Sequence, residues 1–507
     1  MYIEPNTNIK ILKNCPLDNT YNHTIYFSSA SNQLDYFSSL AKYTLGNYSY
    51  QRVQRGVMRV QIKAENLYDC NYLMFQNESF GSKWFYGFIT GVEYVNNITS
   101  EITFEIDVMQ TWFFDYKLKE SFVVREHSAT DSVGSNLLPE DVELGEYVSS
   151  SFDAIGEIAP LSIVVASTFD SNYKDVGGGY WSGMFSGLYF NIFPNTIDGA
   201  SKCEEFILGA EAKSDGIVAV FLIPTVFASG VKGKPPKVFE KTFTKKQTSI
   251  GGYTPRNKKL LTYPYNFLYI TNLQGNSGVY PYEYFDGSVK FSVAGDLSPN
   301  PSVIISPLNY KGVTNNFDEK MVLSGYPQLS YTTDTFKAWL AQNASSLAVN
   351  ALSTGMNYSL ANKFANPETA DKTKITSGSG LALGIASSVS QIHQASLMPN
   401  QAHGGGGSQT LASMALINFA VMNKHIQPQF AKIIDDYFDM FGYSTNKVKV
   451  PNRTVRPHWC FTQTLGCVAT GSVPADDMNK ICSIYDNGIT FWKSGAEVGN
   501  YTLNNQV

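Results

Sequence analysis

The chain has 507 residues, with 38 Lys and Arg against 43 Asp and Glu, so its net charge is −5 and only 16% of it is charged, where about 25% is usual. Aromatic residues make up 14% of the chain, which is enough apolar surface for large cores and excludes disorder as its main state. A weakly acidic, charge-poor chain is unsuited to gripping nucleic-acid phosphates, because that binding depends on clustered Lys and Arg.

Targeting, membrane and metal signals are lacking. Residues 1–12 contain neither a basic leader nor the apolar stretch of a signal peptide, and no window supplies the roughly 20 apolar residues of a spanning helix. The six cysteines form no C-x-x-C pair, and only Cys460 has a close histidine, His458. We expect no metal site and no disulfide scaffold, and we expect most cysteines to be buried thiols of a protein made in a reducing cytoplasm.

From residue 22 to about 126 the sequence predicts β-strands in an antiparallel sheet or barrel. Residues 59–63 and 103–108 alternate polar and apolar side chains, as half-buried strands do. Turn signals separate such runs at residues 45–47, 80–82 and 95–97.

The middle of the chain, residues 127–255, is less regular, although the apolar run 216–223 predicts a buried strand. A second strand-rich block covers residues 260–329, with a hairpin-type turn signal at Asp286-Gly287. Two strand-rich blocks around a variable middle suggest a duplicated β-module, without a sequence repeat that demonstrates it.

Residues 338–423 are strongly depleted in charge. Only Lys363, Glu368, Asp371, Lys372 and Lys374 are charged, and small residues fill the rest. Three interpretations fit the pattern: a Ser/Gly-rich linker, a buried helical hairpin, or a membrane-active segment that is sequestered until released. Small residues allow close helix packing in lipid, and missing charges remove the largest cost of insertion. The pattern alone does not choose among them.

A helix is predicted over residues 430–441, between Pro428 and Gly442. Its apolar stripe has helical spacing, at Phe430, Ile433, Ile434, Tyr437, Phe438 and Phe441. We expect the stripe to pack on a core and the polar face, with Asp435, Asp436 and Asp439, to be unsuited to anionic lipid. The tail, residues 453–503, predicts strands and turns, with a strong turn signal at 486–488.

Motifs of catalysis are absent: there is no G-x-S-x-G, phosphate loop or H-E-x-x-H. Glu105 and Asp107 are two residues apart on a predicted strand and would share one face. A solvated carboxylate face is the favoured interpretation over a glycosidase pair. Asp115, Arg125 and Glu126 are expected to make ion pairs or subunit contacts. We therefore predict no enzyme activity and no cofactor.

Several aromatic-rich blocks carry a family resemblance. The first four are MFQN from Met74, KWFY from Lys83, FEIDVMQTW from Phe104 and SFVVREH from Ser121. TYPY from Thr262, FGYSTNKVKVPN from Phe441, IYDNGITFW from Ile484 and GNYTLNN from Gly499 follow in the same order. Together they resemble the tail-knob, or distal tail-tube, proteins of small short-tailed bacteriophages, the Salas-type podoviruses and their relatives infecting Gram-positive cocci.

The resemblance implies a mainly β (α+β) fold with two β-barrel-like tail-tube domains that assemble into a ring, a variable middle region and a long hydrophobic loop insertion. The implied divisions are a first tube domain (1–135), a variable middle or knob region (136–258), the first part of a second tube domain (259–337), a membrane-active insertion (338–425), and a helix with C-terminal strands that complete the tube (426–507).

The implied function is structural: a hexameric tube in the virion that closes the distal tail tip, conducts the genome and penetrates the host cytoplasmic membrane with released loops. The implied partners are five further copies, the adjacent lower-collar or tail protein, membrane lipid, and double-stranded DNA in transient, non-specific passage. The resemblance assigns lipid contact to apolar residues of the insertion, which are Leu347, Val349, Leu352, Met356, Leu360, Leu381, Leu383, Ile385, Val389, Ile392, Leu397, Met398, Leu411, Met414, Leu416 and Ile417.

The chain departs from the family pattern in two places. Residues 140–255 match poorly, and the insertion carries a polar island at 363–374, which suggests two lipid-facing arms joined by a polar tip. A tail-associated, cell-wall-binding adhesin without pore activity is the alternative function, and a wall-degrading enzyme is a third hypothesis.

Overall fold

The chain divides into two compact units, each built from discontinuous segments. In the computed structural model, unit 1 comprises Met1–Glu143, Pro255–Lys259 and Lys432–Val507, and unit 2 comprises Leu144–Thr254 and Leu260–Ala431. The structure describes residues 6–48, 56–158, 161–169, 174–176, 180–181, 184–185, 187–194, 199, 202–203, 205–207, 216–228, 238–245, 248–272, 275–295, 301–324, 326, 328–329, 418–454 and 456–507.

Unit 1 contains two main sheets, with strands numbered in chain order. The first has the order β3-β1-β5-β6-β7-β4, from β1 (Thr7–Lys13), β3 (Ala41–Tyr48), β4 (Val57–Val60), β5 (Cys70–Gln76), β6 (Phe85–Asn96) and β7 (Thr99–Ile106). The second has the order β2-β29-β27-β9-β26, from β2 (His23–Ile25), β9 (Ser121–Glu126), β26 (Tyr443–Lys449), β27 (Trp459–Leu465) and β29 (Ile489–Trp492). A short pair joins β8 (Tyr116–Leu118) to β28 (Ala469–Gly471).

The described residues of unit 1 include three helices that lie wholly within it, α1 (Ala30–Ser39), α2 (Val108–Thr111) and α5 (Ala475–Asn487). Ser29 caps α1 by accepting a hydrogen bond from the Asn32 backbone N–H. Ile481 and Tyr485 place the apolar face of α5 in the same core as the rings of the first sheet. Helix α4 (Pro428–Phe441) contains residues of both units.

Unit 2 is also built from sheets around one apolar cluster. One has the order β10-β25-β18-β19, from β10 (Tyr147–Ala154), β18 (Asn266–Thr271), β19 (Ser277–Pro281) and β25 (Ala420–Ile426). The next has the order β12-β15-β11-β16-β24, from β11 (Leu161–Ser167), β12 (Lys174–Val176), β15 (Tyr189–Pro194), β16 (Ile217–Pro224) and β24 (Gln328–Leu329).

The third sheet of unit 2 has the order β17-β20-β21-β22, with β23 also paired to β21. Its strands are β17 (Val238–Phe243), β20 (Phe285–Gly295), β21 (Val303–Tyr310), β22 (Val313–Asn315) and β23 (Met321–Leu323). A two-stranded pair, β13 (Tyr180–Trp181) with β14 (Met184–Phe185), and helix α3 (Thr225–Ala228) complete the described elements. Short 3₁₀ turns are Ala64–Asn66, Glu78–Phe80, Gly156–Ile158, Lys258–Leu261, Tyr282–Tyr284 and Phe317–Glu319.

The mainly β class predicted from sequence is confirmed, and so are several of its elements. The apolar run at 216–223 is strand β16, and the apolar stripe at 430–441 belongs to α4. Pro428 begins that helix, and Gly442 ends it with a positive φ of 67°. No helix in the described part of the chain is long and apolar enough to cross a membrane.

Two predicted turns are wrong because their residues form irregularities inside strands. Gly46 and Asn47 lie in β3, where the register with β1 shifts and Asn47 has a φ of 64°. Asp286 and Gly287 lie in β20, where the register with β21 shifts and Gly287 has a φ of 80°. Residues that favour positive φ serve bulges as well as turns, so the local signal did not distinguish them.

Helices α1 and α5 replace predicted strand and turn structure. The turn signal at 486–488 marks instead the end of α5, where Gly488 has a φ of 93°. Strand β7 ends at Ile106, and Asp107 caps α2 by accepting from the Gln110 N–H, at 3.0 Å. Glu105 and Asp107 therefore do not share a strand face as predicted.

Candidate functional site

The charge-poor insertion lies in sequence between strands β24 and β25 of unit 2. Strand β24 pairs with β16, with Leu329 opposite Val220, while β25 pairs with both β10 and β18. The sixteen predicted lipid-facing residues, from Leu347 to Ile417, lie outside the described residues, as does the polar island at 363–374. What the structure describes are the residues on either side of the insertion.

Asn418 fixes the returning end. Its Nδ2 donates to the Ile155 carbonyl at 3.1 Å, and its Oδ1 accepts from the N–H of Ile155 at 3.2 Å and of Phe419 at 2.8 Å. Phe419 is fully buried in the unit 2 core. The side-chain amide thus pairs both backbone groups of Ile155, and the next residue enters the core.

Core residues also precede the insertion in sequence. Leu323 and Tyr326 are buried in the same core as Phe419, and burial raises the pKa of Tyr326 well above its usual value. Core side chains of one folded unit therefore lie on both sides of the insertion in sequence.

Asn423 on strand β25 belongs to a buried group of hydrogen-bonded polar side chains. The Asn423 Nδ2 donates to Ser150 Oγ at 2.7 Å, and its Oδ1 accepts from the Tyr282 hydroxyl at 2.7 Å. A cavity of about 50 Å³ lies here, lined by Ser151, Asp153, Phe243, Thr244, Leu268, Tyr282, Val421 and Asn423. Water fits a space of that size, but a small-molecule substrate needs roughly 300–1,000 Å³.

An apolar row lies exposed on the second sheet of unit 1. Val448 on β26 and Leu465 on β27 both lie directly opposite Phe122 on β9, so the three side chains share one face. Val448 is 67% exposed, Leu465 67% and Phe122 37%. A contiguous exposed apolar surface of this kind is typical of a contact with another macromolecule. We call these three residues the apolar row.

Buried charges lie in unit 1, in what we call the Glu140 cluster. The Glu140 carboxylate binds the Arg125 guanidinium and the Lys259 ammonium, the latter at 2.5 Å. It also accepts from the Ser444 N–H at 2.8 Å. The Glu140 side chain is fully buried and that of Lys259 is 3% exposed, and burial lowers the pKa of Lys259.

The predicted faces of α4 are wrong in part, because Ile433 of the apolar stripe is 65% exposed while two carboxylates of the polar face are buried. Asp435 and Asp439 are buried, and Arg256 pairs with both of them and with Asp436. Asp435 also accepts from the Asn257 N–H at 3.0 Å. These partners lie nearly 180 residues earlier in the chain, so helix periodicity could not reveal them.

His127 and Asp439 meet within the same unit. The His127 Nδ1 accepts from the Phe461 N–H at 2.7 Å, and its Nε2 donates to the Asp439 carbonyl at 2.9 Å. Burial lowers the pKa of His127 to about 3 and raises that of Asp439 to about 6. Both ring nitrogens of His127 are therefore used in buried hydrogen bonds to the backbone.

The remaining predicted polar residues lie apart. Glu105 pairs with Lys480, whereas Asp107 is buried, accepts from the Tyr72 hydroxyl at 2.8 Å, and has its pKa raised by burial to about 6. They form no carboxylate pair open to a substrate.

The three residues expected to make ion pairs all do so: Asp115 with Lys83, Arg125 with Glu140, and Glu126 with Lys449. Across the described ranges no three His, Cys, Asp or Glu side chains group as metal ligands.

The whole fold has a solved counterpart among phage tail proteins. It is similar to the structure of the bacteriophage C1 tail knob protein, gp12, with a TM-score of 0.67 and 15% identity over 99% of both chains. Residues 5–117 match the N-terminus of the caudoviral major tail protein. The fold is therefore that of a phage tail knob with a tail-tube-like first domain.

Residues 230–506 match the family of the C-terminal domain of the Bacillus phage phi29 tail knob protein gp9, and the chain belongs to that family. It is 25% identical to the tail knob protein gp9 of Bacillus phages PZA and phi29, and 26% identical to that of phage B103, over 99% of this chain and 98% of each relative. It is a structural component of the virion tail, as the resemblance implied.

Proposed function

We propose that this chain forms a hexameric ring at the distal tail tip that closes the tail, conducts the genome and penetrates the host cytoplasmic membrane through the part of the insertion that precedes Asn418, residues 338–417. We propose further that residues 1–135 and 259–337 contribute to the two tube domains, that 426–507 complete the tube region, and that 136–258 form the knob region. Within 426–507, residues 432–507 belong to the same unit as residues 1–143. The observation that carries the membrane role is the presence of core residues of one folded unit on both sides of a charge-poor insertion.

Because core residues lie on both sides of the insertion, the insertion can move without unfolding unit 2. Leu323, Tyr326 and Phe419 are core residues, so the segment between them can change its environment without exposing that core. Five charged residues in 86 keep the cost of entering lipid low.

Assembly is supported by two features of unit 1. The apolar row is exposed in the single chain, and the six-stranded sheet ends in the strands β3 and β4. Unpaired strand edges and apolar faces are covered when copies associate around a closed symmetry axis. The adjoining lower-collar or tail protein is the proposed partner at one end of the ring.

Genome conduction fits the charge balance. A net charge of −5 per chain gives a conduit no overall attraction for DNA phosphates, so passing DNA is not held.

The test uses the full chain and a variant in which a short Gly/Ser bridge replaces residues 345–413. Purified wild-type protein should form a ring with a central hole in negative-stain images and should release dye from liposomes upon mild destabilisation. The deletion variant should keep the ring and lose leakage, because the lipid-facing residues are gone.

Leakage that persists in the deletion variant would refute the membrane role of the insertion. A filled particle that binds purified cell walls and releases no dye would replace the proposal with the adhesin. Solubilisation of walls would favour an enzyme instead.

A further inference from the structure

Two of the six cysteines differ from the others in exposure and in proximity. Cys15, Cys70, Cys203 and Cys460 are buried free thiols, whereas Cys467 and Cys482 are partly exposed. Cys482 lies close enough to Cys467 to contribute to the raised pKa of the Cys467 thiol. Cys467 follows β27 in a turn, and Cys482 lies on α5.

Asp486 holds the two cysteines together. Its Oδ1 accepts from the Cys467 N–H at 2.9 Å and from Thr464 Oγ1 at 2.7 Å. Cys482 lies four residues before Asp486 on the same helix, so the two side chains share one face with Cβ atoms roughly 5–6 Å apart. The turn that carries Cys467 is therefore fastened to the helix one turn away from Cys482.

The helix itself cannot readily move away. Ile481 and Tyr485, which flank this face, are fully buried in the unit 1 core. Gly466, with a φ of 68°, provides the turn that brings Cys467 back onto α5. The fold thus holds Cys467 next to the helix face that carries Cys482.

We propose that Cys467 and Cys482 are an oxidation site, a dithiol during synthesis in the reducing cytoplasm that closes to a disulfide in the released virion. The oxidant is a small-molecule disulfide. The Cys482 thiolate attacks it, forming a mixed disulfide and releasing one small thiol. The Cys467 thiolate then attacks the Cys482 sulfur and releases the second. Two cysteine thiols lose two electrons in total, and the oxidant is reduced to two thiols.

The pKa of the Cys467 thiol affects the rate of disulfide formation. Burial, with the neighbouring Cys482, raises the pKa of Cys467 to about 12. Because the thiolate is the nucleophile, the raised pKa lowers the reactive fraction of Cys467 near neutral pH and slows its attack on the mixed disulfide.

The disulfide would close the segment that contains β28 and the first half of α5. A loop of this length, when closed, restricts the unfolded chain substantially. We expect oxidation to raise the unfolding temperature of unit 1 by roughly 6–12 °C.

The experiment incubates the native full-length protein with oxidised glutathione at pH 8 and follows thiol content, peptide mass and unfolding temperature over a day. Wild-type protein should lose two thiols, and a cross-linked peptide joining Cys467 to Cys482 should appear two hydrogens lighter. The rise in unfolding temperature should reverse with a reductant.

Cys482→Ser should show neither the cross-link nor the temperature rise, while Cys460→Ser, at a buried thiol, should behave as wild type. The reduced and oxidised wild type form a comparison that needs no variant to fold. An unchanged thiol count would overturn the proposal, and so would stable glutathione adducts or cross-links between chains. None of these outcomes bears on ring formation or dye release, so the proposed function is tested separately.

Discussion

Replacing Glu140 with Gln tests whether the Glu140 cluster is essential to unit 1. The carboxylate neutralises two cations, Arg125 and Lys259, in a place where its own side chain has no exposure. Glutamine preserves the shape and one acceptor oxygen, which can still serve the Ser444 N–H. It removes the negative charge and leaves two buried cations facing each other.

The magnitude follows from the burial. Breaking a buried ion pair by removing one partner costs about 3–5 kcal/mol, because the remaining charge is uncompensated. For a unit of this size each kcal/mol shifts the unfolding temperature by about 2–4 °C. Glu140→Gln should therefore lower the unfolding temperature of unit 1 by roughly 6–20 °C.

Differential scanning calorimetry of the full chain provides the measurement. The matched control is Glu101→Gln, because Glu101 pairs with Arg59, whose side chain is 70% exposed. Exposed pairs contribute about 0–1 kcal/mol, so the control should lose at most a few degrees. Equal decreases of the unfolding temperature in the two variants would refute the reasoning that burial makes the Glu140 ion pairs important for stability.

Three further predictions concern assembly, anchoring and pH. Phe122→Asp should reduce the oligomer to single chains by light scattering, because it puts a charge in the centre of the apolar row. Asn418→Ala should lower the free energy of unfolding of unit 2 by about 1–3 kcal/mol in urea titrations, because both buried backbone groups of Ile155 lose their partner. His127 has a folded pKa of about 3 and an unfolded pKa of about 6.5, so its stabilisation is present above pH 6.5 and is lost as pH falls toward 3. His127→Gln should thus flatten the acid loss of unfolding free energy by about 1.4 kcal/mol per pH unit between pH 6 and 4.

Each prediction has a matched control. Ile98→Asp alters another exposed apolar residue of unit 1 and should leave the oligomer intact; an oligomer surviving in Phe122→Asp contradicts the contact. Asn315→Ala, at an exposed asparagine of unit 2, should change the urea unfolding midpoint little. If Asn315→Ala and Asn418→Ala lower the midpoint equally, the hydrogen bonds of Asn418 do not account for the loss of stability.

Asp107 is the control for pH, because it has the opposite sign. Burial raises its folded pKa to about 6 against an unfolded value of about 3.9, so its contribution is present at low pH and is lost as pH rises through 6. Asp107→Asn should therefore steepen the acid loss between pH 6 and 4 where His127→Gln flattens it. Parallel slopes in the two variants would contradict both assignments.

The parts of the fold that were predictable carry their signal locally. Helix α4 has a periodic stripe with Pro428 and Gly442 at its ends, and β16 is a continuous apolar run. Helix α1 gives little such signal, since among its ten residues only Gln33 and Phe37 are buried. Its position depends on what it packs against, which local pattern does not contain.

The features of the candidate site also differ in whether a local sequence pattern reveals them. Charge depletion marked the insertion because composition is a local property. The apolar row was missed because Phe122 and Val448 are neighbours only after β9 pairs with β26, and the burial of Asp435 was missed because Arg256 is distant in sequence. Contacts of such long range are set by topology rather than by any short motif.

The apolar row forms only after β26 and β27, which are synthesised late, have paired with β9. Glu126 finds its partner Tyr443 only after more than 300 further residues have been synthesised, which takes on the order of 15–60 seconds at bacterial translation rates. Leu465 lies in the last tenth of the chain. A product terminated before Val448 therefore lacks two of the three side chains in the apolar row, and one terminated between Val448 and Leu465 lacks one.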